Sequence, residues 1–171
     1  KPTALVLDPV FKRHQTGRGH PERPERYDSV TAALAGGSLA QNALPVQPRP
    51  ATEDELRLCH SGDYLRQARS DIQAGQRQLS TGDTAVSESS WEVALLAAGA
   101  VCDATEAVVR GKARNAFCAI RPPGHHATPN RGMGFCIANN VAIAARFAQT
   151  RLGLERVAIV DWDVHHGNGT Q

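Results

Sequence analysis

Twice in this chain a strand-length run of apolar residues opens directly onto paired histidines. The first run, "AFCAI", ends at Ile120 and is followed by "RPPGHHATPN". The second, Val157 to Val160 within "ERVAIVDWDVHHGNGTQ", leads without a break into Asp161, Asp163, His165 and His166. Ionisable groups at the end of a buried strand are costly unless something compensates them. In open α/β sheets ligands gather outside the carboxyl ends of strands, so two polar clusters at two strand ends imply one site.

The rest of the chain supplies the layers such a sheet needs. "ALVLD" from Ala4 reads as a strand, and "GRGHPERPERYDSVTAALAGG" moves from loop to helix before Gly36 and Gly37 end it. Thr52 followed by Glu55 in "ATEDELRLCH" fits a capping box, and "SGDYLRQARSDIQAG" reads as a short helix closed by Gly75. The strongest helix is "SSWEVALLAAGAVCDATEAVVRG", apolar at helical spacing with Gly111 just past its end. Strand "AFCAI", a long loop, helix "NNVAIAARFAQTRLG" and strand "RVAIV" follow. No internal repeat, low-complexity tract or linker interrupts this order. The expectation is one α/β unit with a mostly parallel sheet flanked by helices.

Composition excludes several classes. With 171 residues, 41% of them hydrophobic and 21% charged, the chain can bury a core. No apolar run approaches the ~20 residues of a membrane span. The start, "KPTALVLDPVFKRHQ", lacks the apolar length and cleavage site of a signal peptide, so the expected location is cytoplasmic. Cys59, Cys102, Cys118 and Cys136 are far apart and form no CxxC, which fits reduced, largely buried thiols. A net charge of +2, with basic residues scattered among acids, disfavours direct nucleic-acid binding.

In an extended chain residues two apart face the same side, so Asp163 and His165 can converge on one metal ion, with Asp161 just behind. Oxygen plus nitrogen ligation suits Zn²⁺ or Fe²⁺, and a catalytic site needs three protein ligands and an open position. The competing structural reading has Asp161 and Asp163 capping a turn while the histidines pack; DxDxHH behind four apolar residues favours the metal. In the other cluster Pro122 and Pro123 stiffen the backbone and Gly124 permits a sharp turn, presenting His125 and His126 on a rigid loop. Adjacent side chains diverge, so one imidazole can face a substrate while a buried acceptor holds the other, an arrangement for proton transfer. The bland reading of such a pair is a hydrogen-bonded loop brace.

"RPPGHHA", "GFCIANNVAIAA" and "VDWDVHHGNGTQ" together resemble the zinc-dependent histone deacetylase family, most closely its second class and the bacterial amidohydrolase and acetylpolyamine amidohydrolase relatives. "GHPERPERY" and "LSTGDTAVSESSWEVALLAAGA" extend the likeness over nearly the whole chain. The resemblance implies an arginase/deacetylase-like open α/β domain of which residues 1–171 are the amino-terminal part, the sheet being incomplete in this chain.

Residue by residue, the resemblance implies Asp163 and His165 as two zinc ligands. Asp161 matches the brace of His125 and joins Asp163 and His165 in a neighbouring site for a monovalent cation, usually K⁺. His126 matches the general base and later acid, with Asn168 in the place of its Asp or Asn brace. Gly134 and Phe135 match the wall of the tunnel for the acyl-lysine stem, and Cys136 beside them is packing. Arg26 matches a basic residue near the tunnel floor, against a solvated helix start. Asp83 matches a rim carboxylate that holds the substrate backbone, against a plain turn aspartate.

The implied chemistry is metal-assisted amide hydrolysis, in which zinc polarises the acyl carbonyl and lowers the pKa of bound water from ~16 toward ~7 while His126 moves the protons. Acetylated protein lysine and small acylated amines such as polyamines both fit as substrates, and homo-oligomer formation is left open. The family's third zinc ligand and oxyanion donor lie beyond the position of Gln171, so these 171 residues alone are expected to be inactive. Two rivals remain. An arginase-like two-metal ureohydrolase would carry DxHxD, but Gly167 stands where its second carboxylate belongs. A catalytically inactive acyl-lysine or partner-binding module of the same fold is the other.

Overall fold

A computed structural model describes residues 1–35 and 37–171. Strand β1 (Thr3–Leu7) lies at the centre of a three-stranded parallel sheet. It is flanked by β2 (Leu44–Pro45), where Ala4 faces Leu44, and by β3 (Asn115–Ala119), where Thr3 to Leu7 run opposite Asn115 to Ala119. Ala4 and Val6 are fully buried and Leu5 nearly so, because β1 is covered on both faces, and this is why it reads as an unbroken apolar run.

Helix α5 (Ser90–Val109) is the hub between sheet and helices. One side, Val93, Ala97, Ala100 and Ala104, packs with Val6 of β1, Ala119 of β3, Phe11 and Tyr27. The opposite side, Ala94, Ala98 and Cys102, enters a second cluster with Leu56, Tyr64, Leu65, Ile143 and Phe147. A helix buried on two sides needs a wide apolar surface, which its sequence has, with Glu92, Asp103 and Glu106 left to ion pairs on the remaining strip. The cluster partners come from α3 (Glu53–Leu56), α4 (Gly62–Gln73) and α6 (Asn140–Leu152). The expected capping box forms, with the Thr52 hydroxyl accepting from the Glu55 N–H and the Glu55 carboxylate accepting from the Thr52 N–H. Gly75, Gly111 and Gly153 take left-handed conformations just after α4, α5 and α6.

The remaining elements are small. A 3-10 helix at Pro9–Arg13 follows β1, and α2 (Ser38–Gln41) follows α1 (Pro24–Ala35). The first helix ends at Ala35; Gly36, read as part of its stop, lies outside the described residues.

One expected element is corrected. Val157 to Val160 forms no strand, and Val160 is 80% exposed. Apolar, β-branched composition favours a strand but does not create one: ladder hydrogen bonds need a neighbouring backbone in register, and none of the described residues provides it. The Asp and His residues that follow are accordingly not at the end of a buried strand.

Candidate active site

The loop leaving β3 is fixed before it reaches the histidines. Arg121, 3% exposed, places Nε 2.6 Å and Nη2 2.7 Å from the two Glu22 carboxylate oxygens, and its Nη1 donates to the carbonyls of Phe11 and His14 at 2.9 and 3.0 Å. The Pro122 carbonyl accepts from the Asn140 amide at 3.1 Å. Gly124 lies so close to the Ala138–Asn140 backbone that a Cβ would come within 2.7 Å of the Ala138 carbonyl and the Asn140 nitrogen, so glycine is required by space.

The tandem histidines then diverge to separate acceptors. The Nδ1 of His125 donates to Asp161 Oδ2 at 2.8 Å and that of His126 to Asn168 Oδ1 at 2.6 Å, with ring centroids 4.1 Å apart. Each bond assigns the proton to Nδ1 and leaves Nε2 as a lone pair. The bond from His125 is the main cause holding the Asp161 carboxyl below its usual range. Although residues 157–166 are exposed, the turn behind them is pinned: the N–H groups of Gly169 and Thr170 both donate to the His125 carbonyl, and the Asn139 amide reaches the Thr170 hydroxyl.

Asp163 and His165 face each other. Asp163 Oδ2 accepts from the His165 N–H at 2.8 Å, the leading cause of its lowered pKa, and from the ring Nδ1 at 3.0 Å. One carboxylate oxygen and one imidazole nitrogen are donor types that zinc takes, and the ring nitrogen that now donates to Asp163 would have to give up its proton to bind the metal. Among the described residues no third His, Cys, Asp or Glu joins them.

A cavity of about 540 Å³ gathers most of the residues singled out in the sequence, but not Asp161, His166 or Cys136. His125, His126, Asp163, His165 and Asn168 line it together with Arg26, Asp83, Gly134 and Phe135. Asp161 stands behind His125 and lines a neighbouring cavity of about 400 Å³. Arg26 lies on the first turn of α1 with Nη1 3.5 Å from Glu22 Oε1, and it also borders a smaller cavity of about 150 Å³ beside β3. Asp83 accepts from the Gly134 N–H at 2.7 Å. Cys136 is fully buried, and burial pushes its thiol up to about 12, as a packing residue requires.

Three residues of this site were not singled out from the sequence. Glu22 and Arg121 form its buried support, and the His20 ring meets the Phe135 ring edge-on, centroids 4.5 Å apart. A buried arginine must find an anion, but β3 before Arg121 is mostly exposed and "HPERPER" carries two carboxylates, Glu22 and Glu25, so the sequence alone does not single out the pair.

Residues 20–171 match the family model described as "Histone deacetylase domain". The chain is 44% identical over 171 residues to "Uncharacterized protein slr0245" of Synechocystis sp., spanning 98% of this chain and 56% of that protein. It is 42% identical over 173 residues to the "Histone deacetylase-like amidohydrolase" of Pseudomonas aeruginosa, spanning 99% and 45%. The crystal structure of the HDA15 HD domain superposes with a TM-score of 0.92 at 37% identity, covering 100% of this chain and 50% of that one. The chain thus spans about half the length of each of these three proteins.

Proposed function

Because the chain belongs to the histone deacetylase family, we propose that the complete protein is a zinc-dependent amidohydrolase releasing acetyl or related acyl groups from lysine side chains or small acylated amines, with residues 1–171 as the amino-terminal part of one catalytic domain. The observation that carries this reading is the meeting, on one cavity, of the Asp163–His165 donor pair and a His126 whose Nδ1 is already committed to Asn168.

Asp163 and His165 would hold the metal with a third ligand from outside these residues, and bound zinc supplies a Lewis acid that polarises the acyl carbonyl and acidifies a water. His126 keeps its Nε2 lone pair to accept a proton and return it to the departing amine. His125, tied to Asp161, braces this arrangement from behind. The Phe135 ring and the Gly134 backbone offer an apolar wall for an alkyl stem. Asp161, whose Oδ1 accepts from the Asp163 N–H, would join Asp163 and His165 in holding a K⁺ ion at this turn. Arg26, between two cavities, is placed to meet a released carboxylate.

Burial pushes the Cys102 thiol up to about 12 and the Cys118 thiol up to about 11, and all four cysteines are free, which suits a reducing cytoplasm. No helix of the described residues is long and apolar enough to cross a membrane. The test is turnover of an acetyl-lysine peptide and an acetylated polyamine by the complete protein, with zinc content measured alongside. Turnover that is abolished by a chelator and restored by zinc supports the reading; activity indifferent to metal removal overturns it.

A further inference from the structure

Phe135 is the only non-glycine residue among those described with a positive φ, 68°. It follows Gly134, φ 55°, and the Cys136 N–H closes the turn onto the Met133 carbonyl at 2.9 Å. Both central residues are therefore left-handed, as in a type I′ turn, a conformation that favours Gly and Asn and is strained for a bulky aromatic. Such strain persists only where the surroundings over-determine it.

The surroundings here are residues 81–84, which grip the turn from one side. The Gly132 N–H donates to the Thr81 hydroxyl at 3.3 Å, and the buried Thr84 hydroxyl donates to the Cys136 carbonyl at 3.2 Å. A Cβ on Gly82 would overlap the Gly132 carbonyl, so the two segments touch backbone to backbone. Between these anchors, Asp83 Oδ1 takes the Gly134 N–H at 2.7 Å, the shortest of the three bonds and the only one to a carboxylate. On the other side the Gly134 backbone is pressed on His126, since a Cβ at Gly134 would overlap the imidazole carbons.

We propose that Asp83 is a positioning residue: its carboxylate holds the Gly134 N–H, keeps Phe135 in its strained left-handed conformation, and so sets both the aromatic wall and the backbone surface against His126. This role is separate from gripping a substrate backbone, and it predicts an effect on substrates that have no backbone to grip. Only the kinetic arm below rests on the amidohydrolase reading.

The experiment compares the complete protein with its Asp83→Ala and Asp83→Asn variants. An Asn side chain still presents an oxygen to the Gly134 N–H, whereas Ala presents none. Amide hydrogen exchange at Gly134 is read first and needs no activity: it should accelerate about ten-fold or more in Asp83→Ala and stay near wild type in Asp83→Asn. Steady-state kinetics follow, on an acetylated lysine peptide and on an N-acetylated alkylamine lacking flanking amides. Asp83→Ala should lower kcat/KM about ten-fold on both, with Asp83→Asn largely restored. Unchanged Gly134 exchange in Asp83→Ala, or a loss confined to a raised KM for the peptide, overturns the proposal. If the wild type hydrolyses neither substrate, the amidohydrolase reading fails while the exchange result still decides the positioning role.

Discussion

Arg121 and Glu22, 99 positions apart in sequence, meet as a two-point ion pair at 2.6 and 2.7 Å with both side chains almost wholly buried. The pair joins the root of the His125–His126 loop to the amino-terminal loop, and through His20 to the edge of Phe135. Removing one partner leaves a buried charge unmatched. Glu22→Ala should therefore destabilise the protein by about 3–5 kcal/mol, and Arg121→Met should cost a similar amount. The double variant should cost less than the two losses added. Denaturant unfolding of the four proteins checks this, and strict additivity would show that the two groups are not coupled.

Next to this pair, His14 is fully buried, with Nδ1 2.8 Å from the Ser90 hydroxyl and Nε2 3.6 Å from Glu22 Oε2. Burial, opposed in part by Glu22 and assisted by Arg121 and His20, lowers its pKa from 6.5 to about 4. Above pH 6.5 the ring is neutral in folded and unfolded chains alike. As pH falls through 6.5 the unfolded chain takes up a proton that the folded chain refuses until about pH 4, so stability is lost across that window. The loss should approach roughly 3 kcal/mol, at about 1.4 kcal/mol per pKa unit. Unfolding free energies at pH 7.5, 5.5 and 4.5 should show this slope in the wild type and a flatter one in His14→Gln. Parallel slopes would mean that His14 is not the group responsible.

Asp163 and His165 share two hydrogen bonds and, on the proposed function, one metal. Asp163→Ala and His165→Ala should each remove bound zinc and hydrolysis together. Elemental analysis of the purified complete protein decides it, since stoichiometric zinc in both variants would assign the metal elsewhere.

His126 should separate from these in kind. His126→Ala removes the ring nitrogen available for proton transfer but leaves the Asp163–His165 pair intact, so zinc and hydroxamate binding should persist while kcat falls by 10²-fold or more, on the order expected for a general base. His125→Ala should also impair turnover, by a smaller factor, through loss of the contact with Asp161. Near-normal kcat in His126→Ala would move the proton-transfer role to another group.

What could be read from the sequence follows the range of the interactions involved. The capping box at Thr52 and Glu55, helix α5 and the glycine stops at Gly75 and Gly111 are decided within a few residues, and all were legible. The convergence of the His125–His126 loop with Asp161, Asp163 and Asn168 was expected from two strand ends sharing one edge; the residues do meet, but through the bonds of His125 to Asp161 and His126 to Asn168 and without the second strand. Val157 to Val160 misled because strand formation depends on a neighbour that no local pattern encodes. The Arg121–Glu22 pair and the bond from Gly134 to Asp83 were missed for a related reason: each joins residues more than 50 positions apart, and charge type alone does not choose between several carboxylates.

That same unpaired segment supports the last prediction. Val160, Trp162 and Val164 are 80, 92 and 91% exposed, beside a backbone with no sheet partner among the described residues. An apolar segment with free N–H and C=O groups is a template for pairing with another chain. On the proposed function, a zinc ion held by Asp163 and His165 alone would have two protein ligands of the three a catalytic site uses, and loss of an oxyanion donor supplied from outside these residues would cost about 3–4 kcal/mol in the transition state. Both losses act on one step. Residues 1–171 produced alone should therefore self-associate, bind zinc weakly and show no chelator-sensitive deacetylation, whereas the complete protein should be active and inhibited by hydroxamates. Light scattering and acetyl-lysine turnover on the two proteins, with and without chelator, test this together. Chelator-sensitive turnover by residues 1–171 alone would mean that a full set of metal ligands lies within them, and the assignment of Asp163 and His165 as two members of a larger set would fall.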